Sequence, residues 1–258
     1  MPGYYDVIDN SSLLSYLFYP RRQHNKPSGG AFDLNVPLEG NVSIVGRAYP
    51  GQEENPWILY FHGNGEVVSD YDGIAHLYTD RGLNLLVVDY RGYGASGGKP
   101  TFADMVHDAD VIFEYVTTKL PALGYAGNWF VMGRSLGSIS ALELAGRFPD
   151  KMKGVIIESG FISVVKLIRH LGLPFPGDLT LLEEECLRIA RTIVTPALVI
   201  HGEFDRLVPL SQGRELFASL GSEQKDLLII PRADHNDIMF VNPEAYMDAI
   251  GKFILRQT

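Results

Sequence analysis

The chain has 258 residues, 46% of them hydrophobic and 21% charged, with a formal net charge of −9. That size suits one hydrophobic core, and the composition is that of an ordinary globular protein. The acidic balance argues against non-specific binding to nucleic acid or to anionic membrane surfaces, because both call for basic surface.

The opening stretch MPGYYDVIDNSSLLSYLFYPRR lacks the basic start and small-residue cleavage site of a signal peptide. Its apolar run from Leu13 to Tyr19 is too short to cross a bilayer. The single cysteine, Cys186, excludes an intrachain disulfide and fits a reducing compartment. A cytoplasmic protein without stable membrane insertion is therefore expected. Cys186 lies among carboxylates in LLEEECLRIAR, which disfavour a thiolate, so it is read as a bystander.

Next come AFDLNVPL and NVSIVGRAY, which flank Glu39-Gly40 as the arms of an antiparallel hairpin. Six compact apolar runs follow: WILYF, NLLVVDY, NWFVMG, GVIIESG, PALVIHG and DLLIIPR. Each is the kind of run a strand shows when both its faces are covered. Helix-period segments separate them. In TFADMVHDADVIFEYVTTKL, Met105, Ala109, Ile112, Phe113 and Val116 share a face, and Thr101 with Asp104 makes a capping pair behind Pro100. This alternation predicts an α/β fold, a mostly parallel sheet with helices on both faces, forming one domain over residues 1–258.

Phe161 to Ile193 is longer than one crossover helix needs, rich in Leu and Ile, and interrupted by GLPFPGD. We expect a small helical lid over 161–193, because ligand crevices open at the carboxyl ends of parallel strands. An enlarged ordinary crossover is the competing explanation.

Gly133-Arg134-Ser135-Leu136-Gly137 joins the NWFVMG strand to the helix-period stretch LGSISALELAGRF. G-x-S-x-G at a strand-to-helix turn is the setting of a nucleophile elbow. The serine is held in a strained backbone, and a Cβ at Gly133 or Gly137 would strike the crossing strand or helix. A serine hydroxyl needs a base, and the base needs an orienting acid. Asp205 follows the strand PALVIHG and His235 follows DLLIIPR, so both loops open at the same sheet edge as Ser135. Ser135 is thus the expected nucleophile, His235 the general base and Asp205 its acid. Glu158, Glu203, Asp234 and Asp237 are rivals for the acid, Glu158 being the serious one because it too follows a strand. The oxyanion donors are expected to be the backbone N–H groups of Leu136 and of Asn64 in YFHGNGE. His62 and His201, each before a glycine, are expected to orient loops.

The elements HGNGE, DYRGYGASGG, GRSLGS, HGEFDRLVP and ADHND stand in one order from Trp57 to the end of the chain. Together they resemble the α/β-hydrolase fold family, most closely the small serine hydrolase branch that includes depalmitoylating thioesterases and related bacterial esterases. The resemblance implies an eight-stranded sheet, a triad at Ser135, Asp205 and His235, and hydrolysis of a small acyl ester or thioester through an acyl-enzyme. That branch's membrane-targeted members carry an N-terminal cysteine cluster, which this sequence lacks. Amidase, peptidase, perhydrolase or C–C hydrolase chemistry would use the same triad, and a non-catalytic ligand-binding protein remains the reading from another class.

No cofactor is expected. GYGASG, Gly92 to Gly97, matches G-x-G-x-x-G, but Gly98-Lys99-Pro100 delays the helix that a dinucleotide fingerprint needs at once. Pro100 also stands where a P-loop requires Ser or Thr after its lysine. No metal-ligand spacing is present in the His and Cys pattern.

Overall fold

Runs of aliphatic, β-branched and aromatic residues bounded by glycine, proline and polar turns become eight strands. They are β1 (Phe32–Pro37), β2 (Ser43–Tyr49), β3 (Trp57–Phe61), β4 (Asn84–Val88), β5 (Trp129–Arg134), β6 (Gly154–Glu158), β7 (Ala197–Gly202) and β8 (Lys225–Ile230). The computed structural model describes residues 3–175 and 177–258. Parts of two sequence readings fall outside those residues: the first two residues of the N-terminal stretch, and residue 176 within 161–193.

The strands form one sheet in the order β1-β2-β4-β3-β5-β6-β7-β8. β2 pairs antiparallel with both β1 and β4, and every other pair is parallel, so β2 alone runs against the rest. The N-terminal hairpin, the eight strands and the mostly parallel sheet expected from the sequence are all present. The strand order reverses at β3, whose neighbours are β4 on one side and β5 on the other. The crevice outside the carboxyl ends at such a reversal is where ligands bind in open α/β sheets.

Alternation along the strands sorts side chains onto two faces. Leu59, Phe61, Val131, Ile157 and Val199 join one core, and Ile58, Tyr60, Phe130, Met132 and Ile156 join the other. The first core is covered by the Phe102–Ala122 and Ser138–Arg147 helices and by Tyr5, Ile8, Leu13, Leu17 and Phe18. The second is covered by residues 67–79, the Ile238–Val241 turn and the Pro243–Leu255 helix. The Phe102–Ala122 helix starts where the sequence says it should: Thr101 Oγ1 accepts from Asp104 N at 3.0 Å. Its expected face, Met105 to Val116, is buried. Among the described residues no helix is long and apolar enough to cross a membrane.

The 161–193 segment holds two helices, Val164–His170 and Thr180–Thr192. The second packs against the Ser138–Arg147 helix and buries Leu182, Cys186, Ile189 and Ala190. Burial pushes the Cys186 thiol pKa up to about 11. The first helix lies elsewhere, beside the cavity described next.

Candidate active site

β5 ends at Arg134, and Ser135 follows with φ of 51°, in the left-handed region that non-glycine residues rarely enter. Space around the turn admits only glycine on either side. A Cβ at Gly133 would stand 2.4 Å from the Gly137 carbonyl oxygen, and one at Gly137 would stand 2.1 Å from the Phe61 oxygen at the end of β3. The two glycines let helix, turn and β3 close on one another, which drives Ser135 outward at the strand reversal. Ser138 Oγ donates to the Ser135 carbonyl at 2.7 Å and ties the turn to the helix.

The Ser135 hydroxyl donates to His235 Nε2 at 2.9 Å, and His235 Nδ1 donates to Asp205 Oδ2 at 2.8 Å. These side chains come from three loops at one sheet edge, after β5, β8 and β7, and all three are nearly buried. Asp205 is fixed in turn, because its Oδ1 accepts from Leu207 N at 3.0 Å and Val208 N at 2.7 Å. The other carboxylates are engaged elsewhere. Glu203 caps Arg232 N, Asp234 accepts from Arg206 N and His235 N, and Asp237 accepts from Asp234 N. Glu158 has other partners, accepting from Tyr246 OH at 2.6 Å and Arg134 Nε at 3.2 Å.

Ser135, Leu136 and Asn64 line one cavity of about 430 Å³. Its remaining lining is almost wholly apolar, including Phe102, Val164, Leu167, Leu171, Leu173 and Val208. The loop that carries Asn64 is braced from behind. His62 Nδ1 donates to Gly63 O at 2.8 Å, and Nε2 meets the buried Asp89 at 3.2 Å. Gly63 N donates to Glu66 at 2.9 Å.

His201 sits behind Asp205, donating through Nε2 to Val208 O at 2.8 Å with Asp205 Oδ2 3.4 Å away. Burial lowers its pKa below the usual histidine value, in keeping with a neutral ring. The GYGASG stretch is a closed turn, Gly92 N donating to Gly97 O, and the next helix begins only at Phe102. Among the described residues no group of three or more His, Cys, Asp or Glu side chains could hold a metal ion.

Two features were not read from the sequence. Arg134 is an unspecified position in the G-x-S-x-G pattern, yet its guanidinium reaches Glu66, Glu158, the Asn236 side chain and the His235 carbonyl. Burial would lower its pKa, but the two carboxylates raise it above the normal arginine range. Burial also raises Glu66, but Arg134 and the hydrogen bonds from Tyr71 and Gly63 leave that carboxyl below its usual range. The second feature is the wall that Tyr16, Leu17 and Tyr19 add to the Ser135 cavity. Its only trace in the sequence is a short apolar run.

The family described as serine aminopeptidase, S33, matches residues 52–179 and 174–240. The Saccharomyces cerevisiae "Uncharacterized membrane protein YNL320W" is 31% identical over 185 residues, which cover 70% of this chain and 63% of that protein. The chain thus spans a little under two thirds of that relative's length. Protein bem46 of Schizosaccharomyces pombe is 28% identical over 210 residues, 78% of this chain and 68% of that one. In three dimensions, the Pyrococcus furiosus esterase Pf2001 superposes with a TM-score of 0.76 at 20% identity, covering 92% of this chain and 98% of that one. At that identity the likeness is one of fold.

Proposed function

The chain belongs to the serine aminopeptidase S33 family and has the α/β-hydrolase fold, and from that premise we propose a serine hydrolase that cleaves carboxylic esters or thioesters through an acyl-enzyme. One observation carries the reading: an apolar cavity opens onto the Ser135 hydroxyl, which is already hydrogen-bonded to a histidine oriented by a carboxylate.

In the proposed reaction Ser135 Oγ bonds to the acyl carbon while its proton passes to His235 Nε2. The resulting imidazolium is stabilised by Asp205, which already accepts from Nδ1. The carbonyl electron pair becomes an oxyanion. The N–H groups of Asn64 and Leu136 are the assigned donors to it, each worth about 3 kcal/mol of barrier. Collapse breaks the bond to the alkoxide or thiolate, which takes the proton from His235. Water then enters, gives its proton to Nε2, attacks the ester carbon and releases the acid with Ser135 restored. The reaction calls on no cofactor. In this reading the Val164–His170 arm of 161–193 acts as the lid, and the free, buried Cys186 suits a reducing, cytoplasmic setting.

The family's name raises aminopeptidase action as the alternative. Such a site needs a carboxylate to hold the substrate's ammonium, and no acidic side chain is among the residues lining the Ser135 cavity. That composition favours an uncharged acyl group.

The test is intact-mass analysis after treatment with an organophosphonate serine probe, on the wild type and Ser135→Ala, followed by turnover of p-nitrophenyl esters, acyl thioesters and aminoacyl anilides. A single adduct absent from the variant, with ester or thioester turnover, is expected. An unmodified wild type, or turnover of anilides alone, would overturn the proposal.

A further inference from the structure

The cavity beside Ser135 has two walls of separate origin. One is formed by Val164, Leu167, Leu171 and Leu173, and the other by Tyr16, Leu17 and Tyr19. The second wall is clamped to the site by the side chain of Asn64. Its Nδ2 donates to Leu17 O at 2.9 Å, and its Oδ1 accepts from Tyr19 N at 3.0 Å and from Tyr93 OH at 2.6 Å. Beyond the clamp the chain is tied across the Tyr93 loop, with Gly94 N donating to Arg21 O at 2.8 Å and Arg22 donating to Ser96 O at 2.6 Å. Before it, Leu13 and Leu17 are buried in the core, and Asp9 accepts from Phe102 N and Ala103 N at 2.8 and 2.9 Å. Residues 9–22 are therefore a strap fixed at both ends.

Between these anchors two large side chains are left in solvent. Tyr16 and Tyr19 are each 63% exposed, although both border the cavity, and Leu171 and Leu207, which also line it, are 43% and 41% exposed. Single exposed apolar residues are ordinary, but these four all border the same cavity, so their exposed surface is gathered at one site. Phe102 and Val208 add to the lining, and no charged side chain is among the residues that line the cavity. Flexible alkyl chains suit such a lining, which offers little to hydrogen-bond.

We propose that Tyr16 and Tyr19, positioned by the Asn64 clamp, are specificity-determining residues that close over an alkyl chain against Leu167, Leu171 and Leu173. The substrate class is then medium-chain acyl groups, an assignment that rests on the hydrolase reading above for its chemistry but not for its binding. Each methylene buried between the walls should be worth roughly fourfold in kcat/KM. Asn64 thereby joins two tasks: its side chain holds the acyl wall, and its backbone N–H is the assigned oxyanion donor.

The test separates binding from turnover. On Ser135→Ala protein, decanoate is titrated by calorimetry, alone and with the pair Tyr16→Ala/Tyr19→Ala or the pair Tyr16→Phe/Tyr19→Phe. Both tyrosines are exposed, so these variants should fold. The alanine pair is expected to weaken decanoate about tenfold, the value of two or so lost methylene contacts, and the phenylalanine pair to bind as the parent does. With Ser135 restored, the alanine pair should lower kcat/KM for a decanoyl ester by a similar factor and leave the acetyl ester within about twofold. Decanoate that fails to bind the parent, equal binding in the alanine pair, or equal losses on acetyl and decanoyl esters would each overturn the assignment. Decanoate binding that depends on the tyrosines in a protein that cleaves no ester would uphold the wall and remove the hydrolase reading instead.

Discussion

The guanidinium of Arg134 donates to the backbone carbonyl of His235 at 2.9 Å, so the residue before the serine holds the loop that carries the imidazole. The same group reaches Glu66, which accepts from Gly63 N in the loop that carries Asn64, and Glu158 at the end of β6. One cation thus ties together the loops that carry Ser135, His235 and Asn64, whose relative placement the proposed mechanism depends on. Arg134→Met should lower kcat by about 100-fold, the size expected when reacting groups are misplaced by an ångström. KM should change little, since Arg134 does not line the Ser135 cavity. Arg134→Lys should recover only part of the loss, because a single ammonium cannot span the acceptors the guanidinium fork reaches. A variant whose KM rises while kcat holds would remove the positioning role.

Glu158 ends β6 and Asp205 lies in the loop after β7, but only Asp205 accepts from His235 Nδ1. Asp205→Asn is expected to cut kcat/KM by about ten-thousandfold, because the amide no longer selects the tautomer that leaves Nε2 free to accept. Glu158→Gln should stay within about tenfold of the wild type, its effect passing through Arg134 and Tyr246. Comparable losses in the two variants would mean that the acid is shared or misassigned.

The strands were legible because a parallel sheet covered on both faces leaves unbroken apolar runs, and the order of those runs also predicted which loops share an edge. With the G-x-S-x-G turn to mark Ser135, that shared edge is what puts Asp205 and His235 beside it as candidates. Sequence could not separate Asp205 from Glu158, since both occupy strand-end positions and the choice depends on which way each side chain turns. Glu158 turns toward a second, buried polar cluster built by Tyr60, Tyr246 and Arg134. The strap was hidden for another reason. Its Tyr16 and Tyr19 are far from Ser135 in the chain, and the contacts that hold them there, the Asn64 amide among them, leave no periodic trace. The two helices of the 161–193 segment are placed differently. The Val164–His170 helix borders the cavity, and the Thr180–Thr192 helix packs as an ordinary crossover would.

Two glycines near the ends of the Ser138–Arg147 helix offer a matched pair. Gly137→Ala would place a Cβ 2.1 Å from Phe61 O, where backbone must move, and should cost about 1–3 kcal/mol of stability together with phosphonate labelling. Gly146→Ala meets nothing nearer than 3.4 Å and replaces a helical glycine, so it should be neutral or stabilise by up to about 1 kcal/mol. Denaturant unfolding of both variants checks this, and equal effects would mean that helix propensity rather than the close crossing governs the elbow.

Glu66 and Glu143 should give stability opposite dependences on pH. Burial pushes the Glu66 carboxyl up, but Arg134 and the donors Tyr71 OH and Gly63 N outweigh it, so its folded value lies below the ordinary one. The folded chain then binds fewer protons at this site than the unfolded chain. The contribution of Glu66 is complete above its unfolded value of about 4.3 and is lost as pH falls through the folded value. For Glu143 burial dominates the hydrogen bonds from Tyr4 and Arg147, and its folded value is raised. Its contribution is complete below the unfolded value and is lost as pH rises through the folded one. Glu66→Gln should therefore weaken the fold at neutral pH and flatten its loss of stability in acid. Glu143→Gln, whose amide oxygen can still accept from Tyr4, should remove a decline that the wild type shows as pH rises above about 4.3. Chemical unfolding at a series of pH values, read as the difference between each variant and the wild type, gives the two slopes. Slopes of the same sign would show that burial at one of these carboxylates is balanced differently from the geometry described.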